Sequence, residues 1–159
     1  MFIVDPIKKE NATGELKVVL LAIERKMGFI PPHFELFAGI DLEGMKVFLQ
    51  ENIRLMEHER IDRNLLPYLR LEIARRECRN YCIHFNEKML EQLQHPELDD
   101  KQKTMLKTVQ KAVYESQSFS AKDIAALEEL GFTHKDFFDL FSYATSFMGK
   151  SKMIEAYVK

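Results

Sequence analysis

No stretch of these 159 residues alternates apolar and polar side chains convincingly, whereas apolar residues at three- and four-residue spacing return along the whole chain. That pattern restricts the chain to helices. Leu16, Val19, Leu20 and Ile23 form one such stripe, which predicts a helix over 15–26, with Thr13 as N-cap and Gly28 as stop. FIPPHFELFAGID reads as a turn and a short helix starting near Pro32. Asp41 can cap a helix to about His58, with Leu42, Met45, Phe48, Leu49, Ile53 and Met56 on its apolar side. Asp62 can cap a helix over about 63–76, although Pro67 allows a later start. A cysteine-bearing helix follows to about Leu93, and His95-Pro96 ends it. Asp99 or Asp100 opens a helix to about Ser116. Ser120-x-x-Asp123 and Thr133-x-x-Asp136 are capping-box starts, the first for a helix ending at Gly131, the second for a last helix to about Ala156. The expected fold is all-α, a single domain over 1–159 of roughly seven or eight helices.

Composition limits function. Apolar residues are 46% and charged residues 30%, with a net charge of -2 and both signs mixed along the chain, so no basic face argues for nucleic acid. No apolar run approaches the ~20 residues of a membrane span. The N-terminal MFIVDPIKKENATG lacks the long apolar core of a secretory signal. Two cysteines without a disulfide framework suit a reducing cytoplasm, which is the expected location. No His/Cys cluster has metal-ligand spacing, and no phosphate loop is present.

The chemistry concentrates in LLPYLRLEIARRECRNYCIHFNE, residues 65–87. Cys78 and Cys82 are the only cysteines and lie four apart, with Tyr81 between them and His84 beyond. In an unbroken helix their Cβ atoms would be ~5–6 Å apart, whereas a disulfide needs ~3.5–4.5 Å. A break at Arg79-Asn80, with Asn80 as N-cap, would put Cys82 at the second helical position, where the helix dipole and Arg79 would favour its thiolate. His84 is two residues from Cys82, ~200° around a helix. Against these roles stand plainer ones: a buried cysteine is usually a small hydrophobe, Tyr81 a packing aromatic, and Arg75, Arg76 and Arg79 a solvated face paired with Glu72 and Glu77.

Three segments together resemble the carboxymuconolactone decarboxylase / alkylhydroperoxidase D family. They are GFIPPHFELFAGID, the pair of helices in IDRNLLPYLRLEIARRECRNYCIHFNEKML, and FSAKDIAALEELGFTHKDFFDLFSYATSFMGKSKMIEAYV. The resemblance implies that family's helical fold. It also implies a redox site of Glu, Cys-x-x-Cys and His, in which Glu and His relay protons to the thiols. Tyr81-Cys82 matches the second cysteine. The first cysteine position then falls on Arg79, the His position on Asn86 and the Glu position on Pro67, so the motif is degenerate.

The expected function is therefore a thiol-dependent peroxidase or disulfide oxidoreductase, an antioxidant enzyme with an altered site. Cys82 is the candidate nucleophile, Cys78 the resolving thiol, His84 an accessory group, and Arg79 and Asn86 substrate contacts. The alternatives are a non-catalytic helical scaffold or binding protein, and a decarboxylase-type enzyme in which Arg79 holds the carboxylate of a small lactone acid. No cofactor is implied. The partners would be a hydroperoxide, a thiol reductant protein and further copies of the chain, since the resemblance implies a homo-oligomer and Phe137, Phe138, Phe141 and Phe147 spread over more than one face of the last helix.

Overall fold

Local signals place the helices before packing does. In the computed structural model, which describes residues 2–159, there are eight: α1 (Gly14–Met27), α2 (Pro32–Ile40), α3 (Leu42–Met56), α4 (Leu65–Arg76), α5 (Asn80–Gln92), α6 (Asp100–Tyr114), α7 (Ala121–Glu129) and α8 (His134–Tyr157). Gly28 ends α1 at φ 81°, and its N–H returns to the Glu24 carbonyl. Asp99 caps α6 by accepting from Gln102 N–H at 2.7 Å. Ser120 N–H donates to Asp123 Oδ2 at 2.8 Å ahead of α7. The box before α8 is closed in both directions, Thr133 N–H to Asp136 Oδ2 at 2.7 Å and Asp136 N–H to Thr133 Oγ1 at 3.2 Å. Pro67 falls in the first turn of α4, where its missing N–H breaks no intrahelical bond. The all-α expectation is met.

The chain sorts into two compact units, one built on residues up to Ile53 together with Tyr157–Lys159, the other on Arg54–Ala156. In the first, α1 packs on α2, and Leu20, Ile23, Phe34, Leu36 and Phe48 are buried. An antiparallel bridge joins Phe2 to Val158, and Ile3 N–H reaches the Tyr157 carbonyl at 2.8 Å. This unit carries an open cleft of about 290 Å³ lined by Val4, Asp5, Ile7, Leu36, Gly39, Ile40 and Tyr157.

In the second unit, α4 and α5 form the most extensive helix pair, and α6 packs on both α4 and α7. Leu65, Leu66, Leu69, Ile73, Met105, Val109, Leu127 and Leu140 have 2% exposure or less. Each such side chain contributes roughly 2 kcal/mol of transfer free energy. No helix among the described residues is long and apolar enough to cross a membrane.

Candidate active site

The site is built on the three residues that join α4 to α5. Glu77 caps α4, Cys78 follows at φ 53°, and Arg79 precedes the first residue of α5. Arg79 N–H bonds to the Ala74 carbonyl at 2.8 Å, and Cys78 N–H to the Arg75 carbonyl at 3.2 Å. This is the 6→1 and 5→2 pair of a Schellman turn, with Cys78 in the left-handed position that glycine ordinarily fills. A side chain there costs roughly 1–2 kcal/mol. The expected break in the helix is present, but its N-cap is Arg79 rather than Asn80. Cys82 is accordingly the third helical residue. Because Cys78 precedes α5, the spacing of a continuous helix does not apply to the pair.

The two thiols occupy opposite environments. Both are free; Cys78 is exposed and Cys82 buried. Burial, followed by the Glu155 carboxylate, pushes the Cys82 thiol up to about 12, against the opposing pull of Arg70 and Arg79. Burial and Glu155 both oppose the activation of Cys82 expected at the helix terminus. One amide at that end of α5 is already engaged: Glu155, reaching from α8, accepts the Tyr81 N–H at 3.2 Å.

Asn86 has 1% exposure. Its amide donates to the Cys82 carbonyl at 2.8 Å, and its oxygen accepts Arg70 Nε–H at 2.9 Å. Arg70 also donates to Tyr143 Oη at 3.1 Å. Asn86 is therefore a buried crosslink between α4 and α5 rather than a group facing solvent. His84 is exposed, with Nδ1 2.7 Å from the Asn80 carbonyl one turn back. Tyr81 stacks on Phe85 at 6.5 Å between centroids.

The arginines divide. Arg75 lies on the surface with Glu72 at 3.6 Å and Glu87 at 2.9 Å. Arg76 covers the Tyr114 ring at 4.7 Å. Arg79 faces Glu77 at 3.6 Å, while its Nε is buried without a hydrogen-bond partner. Among the described residues, no group of three or more His, Cys, Asp or Glu side chains is placed to hold a metal ion.

Sequence reasoning missed Arg70, Tyr143 and Glu155. Nothing local marks them, since their partners are supplied by other helices.

No family model matches the sequence, and no curated protein matches it. Solved structures do. An uncharacterized peroxidase-related protein of Ralstonia eutropha JMP134, described as an alkylhydroperoxidase AhpD core, superposes with a TM-score of 0.71 at 18% identity, over 96% of this chain and 88% of that one. An uncharacterized peroxidase-related protein of Silicibacter sp. TM1040 superposes with a TM-score of 0.68 at 17% identity, over 97% of this chain and 85% of that one. The fold is that of the alkylhydroperoxidase AhpD core.

Proposed function

We propose that this chain is a dithiol peroxidase in which Cys78 meets the hydroperoxide and Cys82 resolves it. One observation carries the reading: an exposed cysteine occupies the glycine position of a strained turn, and a buried cysteine follows four residues later. Strained backbone of this kind concentrates at functional sites. The peroxidase-related descriptions of the two structural neighbours support the substrate class. The assignment exchanges the roles expected from the sequence, because an accessible thiol can reach an oxidant and a buried, protonated one cannot.

The Cys78 thiolate attacks the terminal oxygen of the hydroperoxide. The O–O bond breaks, the alkoxide leaves as the alcohol by taking a proton from solvent, and Cys78 becomes a sulfenic acid. Cys82 then loses its proton, its sulfur bonds to that of Cys78, the S–O bond breaks, and water leaves. Two electrons have passed from the dithiol to the peroxide, and an external thiol reductant returns two. His84 and Asn86 take no part in proton transfer on this account, and Arg79 supplies positive charge acting on Cys82.

Two single variants test the assignment. In Cys82→Ser, hydroperoxide should leave a trappable sulfenic acid on Cys78. In Cys78→Ser, Cys82 should stay a free thiol. The opposite pattern overturns it.

A second reading, a non-catalytic scaffold or binding protein, draws on the 3% exposure of Cys82, which suits a core residue. On that reading Cys82→Ala changes stability alone. The lactone-acid alternative has less support, since a carboxylate bound by Arg79 must compete with Glu77. Phe138, 58% exposed on α8, is the aromatic side chain that self-association would cover.

A further inference from the structure

A carboxylate at the amide end of a helix is ordinarily stabilising. At α5 it has a second consequence. Tyr81 and Cys82 are the second and third residues of this helix, where free N–H groups would stabilise a neighbouring thiolate. Glu155 instead delivers a negative charge to that end, with its Oε2 on Tyr81 N–H at 3.2 Å. The charged groups acting on Cys82 are Arg70 from α4, Arg79 at the cap of α5, and Glu155 from α8. Two favour the thiolate and one opposes it.

We infer that Glu155 is a positioning residue that holds the N-terminal turn of α5 and sets a negative charge at the helix end that carries Cys82. The inference rests on the dithiol reading for its meaning, because it fixes the order of events. An oxidant would then meet a reactive thiol only at Cys78, and Cys82 would enter after Cys78 is oxidised. Neither the degenerate motif nor the fold assigns any role to Glu155. Burial is the first influence pushing the Cys82 thiol up, and Glu155 adds to it.

The test needs no peroxide. In a Cys78→Ser background, the rate at which iodoacetamide alkylates Cys82 is followed against pH, together with the thermal unfolding midpoint. Glu155→Gln keeps an oxygen able to accept Tyr81 N–H, so the midpoint should hold. Removing the charge should raise the alkylation rate at about pH 8 several-fold, since a nearby carboxylate disfavours the thiolate. Arg79→Gln should lower that rate. A mere loosening of the turn would raise the rate in both variants, which would overturn the inference, as would an unchanged rate in Glu155→Gln. Failure of the dithiol reading appears elsewhere, as absence of a Cys78–Cys82 disulfide in the oxidised wild-type chain.

Discussion

Asn86 and Cys82 lie one turn apart on α5, and the Asn86 side-chain amide donates to the Cys82 carbonyl at 2.8 Å. The remaining acceptor of Asn86 takes Arg70 Nε–H from α4. One neutral side chain thereby fixes both the N-terminal half of α5 and the side chain of Arg70. The Asn86 side chain has no proton to exchange near neutral pH, so what it contributes here is geometry.

Asn86→Leu should destabilise the protein. The substitution leaves Arg70 Nε without this acceptor and removes the donor to the Cys82 carbonyl at a position with 1% exposure. A loss of about 1–3 kcal/mol is expected, read from denaturant unfolding. A change of a few tenths would show that the crosslink is energetically idle.

At Cys78, glycine and alanine should part company. Alanine keeps a Cβ at φ 53°, whereas glycine removes it. Cys78→Gly should be more stable than Cys78→Ala by about 1 kcal/mol in the same unfolding assay. Equal stabilities would remove the strain argument and with it the reason for singling out this cysteine.

Acid stability should depend on Asp136. Burial pushes this carboxyl up, but Arg60, with bonds of 2.7 and 3.1 Å, and Thr133 bring it down to about 2. His58 Nε2 also stands 3.2 Å from its Oδ1. A carboxyl with a depressed folded-state value stabilises the fold above the unfolded value near 4. That stabilisation, about 2 kcal/mol, fades as pH falls from there toward about 2. Asp136→Asn should lower stability at neutral pH and flatten the acid limb of a stability–pH curve. A parallel displacement of the whole curve would contradict the linkage.

The helices were legible because their ends are written locally. Gly28, Asp99, Ser120-x-x-Asp123 and Thr133-x-x-Asp136 stop or start helices through bonds to residues three or four away. The junction at Arg79 was read one residue late, because Asn80 has the better capping side chain while the turn is fixed by backbone bonds to Ala74 and Arg75. The environment of Cys82 was not legible. Burial and Glu155, which lies 74 residues from the Tyr81 amide it meets, both push its thiol up, against Arg70 and Arg79. Helical spacing showed only that Phe137, Phe138 and Phe147 spread over more than one face of α8; it did not separate buried Phe137 and Phe147 from Phe138, which faces outward.

The most direct test of the Cys78–Cys82 couple is intact mass after exhaustive alkylation, with and without one equivalent of a hydroperoxide. The oxidised wild-type chain should lose both alkylation sites and two mass units, and a dithiol reductant should restore both sites. Two thiols still open to alkylation after oxidation, or mass gained only as oxygen on one cysteine, would contradict it.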